Sequence, residues 1–256
     1  MTNLKPYTVL KNKHVGETCF VIGAGPSLYG FYKHPDRDKI FKHVVITTNS
    51  GIFALPFGCP HPNAEVTYEA DSDPDKRYFI SCDSLLRRWS FWNYVKSHHC
   101  HCIKIVRDSW HEYFNEIPNF LTFSIRPTPE HIVEAEDDGK GLCYCSSIPS
   151  AIDLSLFMQC RKIILIGVDQ QKIQNHTHWF DFLDRKMQPR RLDGNYMRAP
   201  WEQQMMTFQY NILAYKALKS YAEKKGVEIL NANLTSAVDI FPKINLNDIL
   251  KLISLK

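Results

Sequence analysis

The chain has 256 residues, a formal net charge of +4, and 44% hydrophobic against 23% charged residues. That length supports a sizeable buried core, and the balance is that of an ordinary globular protein rather than a disordered or fibrous one. No apolar run approaches the ~20 residues of a membrane span, and the mildly basic balance permits a polyanionic partner without requiring one. The opening stretch MTNLKPYTVLKNKH is polar and lacks a signal-like apolar segment, so a cytoplasmic setting is the expectation. The 8 cysteines are accordingly read as reduced thiols, not as a disulfide framework.

In chain order, strand-like runs recur at CFVI (19–22), HVVITT (43–48), RYFIS (77–81), HCIKIV (101–106), KIILIG (162–167) and VEIL (227–230). Helical patterns lie between several of them, at residues 84–97, 146–160 and 201–226, the last with Gly226 as a natural C-cap. Apolar strands alternating with helices predict an α/β, Rossmann-like domain over 1–256, with a twisted, mainly parallel sheet and helices on both faces. Two regions break this rhythm. Residues 54–76 are rich in proline and turn formers, and residues 170–200 are polar and rich in His, Arg and aromatics. The second is long enough to suggest a lid or substrate loop.

The first strand runs into Gly23-Ala24-Gly25-Pro26-Ser27. Glycines there suit a sharp turn and a close approach of backbone to a ligand, and Pro26 and Ser27 suit a helix start whose free N–H groups favour phosphate. Leu28 stands where a full dinucleotide fingerprint needs glycine, and no Gly-Lys-Ser/Thr follows. Other strands end in Asn49, in Cys82-Asp83 and in Gly167-Val168-Asp169. Ligands of open parallel sheets bind outside the carboxyl ends of the strands, so these ends are expected to converge on one crevice.

With GAGPSL near the start, an asparagine after the second strand, and a Ser-Ser segment opening a helix before KIILIGVD, the chain resembles the bacterial family 42 sialyltransferases. It is also similar to the wider group containing the archaeal 6-hydroxymethylpterin diphosphokinase-like proteins. The resemblance covers scattered blocks of residues 15–183 and the closing pattern GVEILNANLTSAVDIFP. It implies a nucleotide-sugar donor, CMP- or UDP-linked, lying along Gly23, Gly25, Pro26 and Ser27. Asn49 would then hydrogen-bond the donor, and Ser146 and Ser147 would meet its base or ribose. The family's asparagine between the glycines is replaced here by Ala24, and a later asparagine by Cys82 followed by Asp83. Two tyrosines that stabilise the departing phosphate in that family fall near Gln171 and His178 here.

His176 and His178 are the imidazoles of the expected lid, a side chain whose chemistry suits proton transfer. Arg190, Arg191 and Arg198 could clamp phosphate charge. The run SHHCHC (97–102) looks like metal chemistry, but its neighbouring ligands cannot all face one ion, and CYC (143–145) has the same defect. Buried thiols and exposed imidazoles are expected there, with no metal.

Three functions follow. The first is a glycosyltransferase moving a sugar from the nucleotide donor to a hydroxyl of a glycan, a small molecule or a hydroxylated base in DNA, with His178 or Asp83 as base. The second is a pterin-type diphosphokinase, which needs ATP, Mg²⁺ and carboxylates such as Asp83 and Asp169. The third is a non-catalytic nucleotide-binding module, on nucleic acid if the aromatic and basic lid stacks bases. The sequence carries no signal for oligomeric state.

Overall fold

Runs such as CFVI and KIILI are apolar at every position, so their side chains need cover on both faces of a sheet. The computed structural model describes residues 5–54, 73–83, 86–96, 101–109, 120–124, 142, 146–185, 188–189 and 201–254, and it shows that arrangement. The strands are β1 (Thr18–Ile22), β2 (Val44–Thr48), β3 (Arg77–Ser81), β4 (Ile103–Arg107), β5 (Phe120–Phe123), β6 (Lys162–Ile166) and β7 (Glu228–Asn231). They form one sheet in the order β5-β4-β3-β2-β1-β6-β7, and every pairing is parallel. The fold is α/β and Rossmann-like, as the alternation of elements predicts.

Alternate side chains of one strand enter different cores. Cys19 and Val21 pack with Val44, Ile46, Tyr78 and Ile80 on one face, whereas Phe20 and Ile22 pack with Val45, Ile164 and Ile166 on the other. Helices α3 (Ser147–Phe157) and α4 (Trp201–Lys224) cover the first face. Helices α1 (Leu28–Tyr32) and α5 (Leu246–Ser254) cover the second. A third cluster, around Phe79 and Val106, takes Leu86, Phe91 and Trp92 together with Val95 from α2 (Trp92–Val95). Helix α4 is followed by Gly226, whose φ of +67° is the left-handed conformation expected just past a helix end. The helix has 24 residues, roughly 36 Å at 1.5 Å per residue. No helix among the described residues is long and apolar enough to cross a membrane.

Three local expectations change. The helix expected over 84–97 resolves, in its described part, into a 3-10 turn at Leu86–Arg88 and the single turn α2. Its aromatics pack inward, and Trp, Phe and Ser are only middling helix formers. The short edge strand β5 and the helix α5 have no counterpart in the sequence reading. Part of the expected lid packs inward. Trp179 and Phe180, in a 3-10 turn at Trp179–Phe182, are buried against Phe20, Ile22, Leu28 and Ile166. The backbone N–H of Trp179 donates to the Ala24 carbonyl at 3.2 Å. Neither ring is therefore available to stack a nucleic-acid base.

Candidate active site

The chain leaves β1 for β2 on one side and reaches β1's other neighbour, β6, only after α3. The loops after β1 and β6 therefore diverge, and a crevice opens between them at the carboxyl ends of the strands. A cavity of about 500 Å³ lies there, within the usual range for small-molecule sites. It is lined by Ala24, Gly25 and Pro26 after β1, Asn49 after β2, Cys82 and Asp83 after β3, Ser146 and Ser147 at the start of α3, and Asp169 and Gln171 after β6. His178 lines it too. The structure thus brings together eleven sequence-predicted residues. Gly23, Ser27 and His176 are not among the lining residues, and Arg190, Arg191 and Arg198 lie outside the described residues.

The glycine turn is also packed tightly within the protein. Gly23 and Gly25 donate their N–H groups to Ile166 and Gly167 carbonyls at 2.7 and 2.8 Å. A Cβ on Gly23 would sit 2.3 Å from the Gly167 oxygen, and one on Gly25 would sit 2.6 Å from Asp169 Oδ2. What these glycines permit is the close packing of the β1 turn on the β6 turn. The anion at this turn is also internal. Asp169 accepts hydrogen bonds from the Ser27 N–H at 2.7 Å, the Ser27 hydroxyl at 2.6 Å and the Asn233 amide at 2.5 Å. Ser27 has helical backbone and makes no side-chain cap. Burial pushes the Asp169 carboxyl up, and the hydrogen bonds from Ser27 and Asn233 act against that. The Asp169 carboxylate thus occupies the N–H and hydroxyl of Ser27, and α1, at five residues, is too short to add a strong dipole.

The far side of the crevice is better suited to a ligand. Asn49 stands directly after β2 with φ 47°, a left-handed conformation that asparagine tolerates and that is often found at functional sites. Its Oδ1 accepts from the Ser81 hydroxyl at 2.7 Å and from the Ser147 hydroxyl at 3.4 Å. These contacts fix which way the amide points, so its N–H₂ edge is the part left to serve a ligand acceptor. The Ser147 hydroxyl in turn accepts from the Cys82 N–H at 3.0 Å, and Ser81 Oγ accepts from the Asp83 N–H at 3.2 Å. The ends of β2 and β3 and the start of α3 are thereby knitted into one polar wall.

Cys82 is part of that wall, with its thiol 3.2 Å from Ser150 Oγ. Burial pushes the thiol up to about 11, with the Ser150 hydrogen bond pulling the other way. Only about one thiol in 10⁴ is then ionised at pH 7. We therefore expect peptide-resolved alkylation of Cys82 by iodoacetamide to be slow at pH 7 and to accelerate above pH 10. Rapid labelling at pH 7 would instead reveal an activated thiolate.

His178 is held at a defined angle. Its Nδ1 lies 2.9 Å from Thr177 Oγ1, its ring stacks on Phe180 with centroids 5.1 Å apart, and its backbone N–H donates to Asp181 at 3.1 Å. His176 packs instead on Phe182, centroids 4.4 Å apart. Gln171 donates to the Thr235 carbonyl.

The remaining wall was missed by sequence reasoning. It comes from α4, through Gln203, Gln204, Thr207, Phe208, Asn211 and Tyr215. A signal existed: Asn211 interrupts an apolar stripe that continues through Ala214, Leu218 and Ala222. Among the described residues no group of three or more His, Cys, Asp or Glu side chains could hold a metal ion. Cys102 is buried and His101 exposed, while residues 97–100 and 143–145 lie outside the described residues.

No protein-family model and no curated protein matches the sequence. Solved structures do. A structure of the MAf glycosyltransferase from Magnetospirillum magneticum AMB-1 superposes with a TM-score of 0.57 at 10% identity, over 94% of this chain and 37% of that one. The chain thus spans little more than a third of that enzyme. The sialyltransferase CstII from Campylobacter jejuni, in complex with the substrate analogue CMP-3FNeuAc, matches with a TM-score of 0.47 at 10% identity, over 90% of this chain and 87% of that one. A variant of the sialyltransferase Cst-II with CMP gives 0.46 at 12% identity, over 88% and 85%. At such identities the first likeness establishes a shared architecture: the chain folds as the Magnetospirillum magneticum glycosyltransferase does over the matched region.

Proposed function

We propose that the chain forms a nucleotide-sugar-dependent glycosyltransferase domain that moves a sugar, CMP- or UDP-linked in the donor, to a hydroxyl acceptor. The observation that carries this reading is the oriented Asn49 amide on a polar wall, facing a cavity that also holds His178 and Asp83. The likeness to a glycosyltransferase fold and the CMP-type ligands of the sialyltransferase structures support it.

In this reading Asn49, Ser146 and Ser147 hold the nucleotide. His178, with Nδ1 turned to Thr177, presents Nε2 to the leaving phosphate. The bond from the anomeric carbon to the phosphate oxygen breaks as a bond to the acceptor oxygen forms, and Asp83 takes the acceptor's hydroxyl proton. The diphosphokinase reading is less favoured, because the Asp169 carboxylate that would face Mg²⁺ already accepts three protein hydrogen bonds.

Thermal-shift screening against CMP, UDP, GDP and ATP, and against CMP- and UDP-sugars, separates these readings by mass-action stabilisation. We expect stabilisation by one pyrimidine nucleotide and its sugar conjugate without Mg²⁺, at about 2.7 kcal/mol for ligand at 100 times Kd. Stabilisation by ATP with Mg²⁺ alone would replace this function with phosphoryl transfer.

A further inference from the structure

Asn211 is 4% exposed, lines the cavity from α4, and its Oδ1 has no hydrogen-bond partner among the described residues. A buried carbonyl oxygen left without a donor is destabilising, so native proteins rarely keep one without a use. The surroundings say what donor it suits. Asn211 lies one helical turn from Tyr215, whose hydroxyl accepts from the Gln170 amide at 3.3 Å. Gln170 itself has φ 51°, an uncommon left-handed conformation directly after Asp169. The described lining of the cavity includes the amides and hydroxyl of Gln204, Thr207, Gln170 and Gln171 beside the rings of Phe208 and Tyr215, and no lysine or arginine is among it.

An ionised phosphate has no hydrogen to offer the carbonyl oxygen; it could engage only the N–H₂ edge of the amide and would leave the buried oxygen unsatisfied. An apolar group would leave the oxygen unsatisfied. A sugar hydroxyl satisfies it, and the flanking amides and hydroxyl can serve the neighbouring hydroxyls. Rotation about the terminal torsion of an asparagine is soft, so the oxygen can turn toward an incoming group.

We infer that Asn211 is a specificity-determining residue, its Oδ1 accepting a hydrogen bond from a hydroxyl of a bound sugar, and that the α4 wall with Gln170 is the sugar subsite. The inference rests on the glycosyl-transfer reading for its context. The hydroxyl could belong to the donor sugar or to the acceptor.

The experiment compares wild type with Asn211→Leu, and with Asn211→Ala should leucine not fit. Without ligand, the leucine variant should melt at the wild-type temperature or higher, because an unsatisfied buried acceptor has been removed. A fall of more than about 3 °C in both variants would make Asn211 a structural residue and overturn the inference. With ligands, the free nucleotide should bind both proteins equally. If the hydroxyl is the donor's, affinity for the nucleotide-sugar drops about tenfold in the variant. If it is the acceptor's, donor affinity and donor hydrolysis hold while the acceptor KM rises by a similar factor. Nucleotide-sugar binding and transfer that both ignore Asn211 would sink the inference and leave the glycosyltransferase reading standing. Should no nucleotide or nucleotide-sugar bind wild type, that reading falls. Ligand-observed NMR with methyl glycosides at millimolar concentration then decides the subsite alone: Asn211-dependent binding upholds it, and no such dependence removes it.

Discussion

Gly25→Val should lose the fold before it loses a ligand. A Cβ at residue 25 lies 2.6 Å from Asp169 Oδ2 and 2.7 Å from the Gly167 carbonyl oxygen, neither of which is the loose end of a flexible side chain. The carboxylate is pinned by Ser27 and Asn233, and the Gly167 oxygen accepts the Gly25 N–H itself. Branching at Cβ adds two further methyl groups to this contact. Moving the β6 turn away would break the Ser27–Asp169 bonds together with the backbone bond, so the strain has no cheap outlet. We expect a destabilisation of about 3 kcal/mol or more, at the upper end of what overpacking causes. For a chain of this length that is a melting-temperature fall on the order of 10 °C. Gly30 is the internal control, because a Cβ there meets nothing within 4 Å and Gly30 lies within α1. Gly30→Ala should be neutral or stabilising by roughly 0.5–1 kcal/mol. A Gly25→Val protein that melts like wild type and has lost only nucleotide binding would return the turn to the ligand-cradling role that its sequence suggests.

The contrast between the two glycines marks what the sequence made legible. Strands such as Lys162–Ile166 and Arg77–Ser81 are readable because a parallel sheet covered on both faces demands unbroken apolar runs. The polar strand-end residues Asn49, Asp83 and Asp169 are readable for the complementary reason, since the carboxyl ends of such strands open on a ligand crevice. Contacts between segments distant in sequence are another matter. GAGPS looks the same whether the tight spot faces a phosphate or faces Asp169, which is 142 positions after Ser27. Trp179 and Phe180 belong to a polar stretch, and only the tertiary fold places them on Phe20 and Ile166. The α4 wall was hidden because the helix looks amphipathic along its whole length. Its first turns nonetheless run past the end of the core, and Asn211 is the first of its residues to be buried.

Replacing His178 by alanine should remove chemistry and leave binding. On the proposed mechanism its Nε2 serves the leaving phosphate, whose negative charge grows only as the bond to the sugar breaks. An interaction made mainly in the transition state lowers turnover when it is lost, with little effect on ground-state affinity. General acid help is typically worth ~10²–10⁴-fold, so turnover on the true acceptor should fall by that factor while the donor Kd changes less than about threefold. The fold should survive, because Trp179 and Phe180 anchor the segment and Asp181 still accepts the backbone N–H groups of Thr177 and His178, even though the cap that the His178 side chain gives the Asp181 N–H is lost. His176→Ala is the matched control: its ring rests on Phe182 away from the cavity, and turnover should stay within about threefold of wild type. Thr177→Val tests the orientation itself. Without the hydroxyl 2.9 Å from Nδ1 the imidazole loses one of the contacts that hold its angle, and turnover should fall by an intermediate factor, about tenfold. If His178→Ala keeps near-wild-type turnover while Asp83→Asn abolishes it, the imidazole is only a wall of the cavity, and the proton transfer belongs to Asp83 alone.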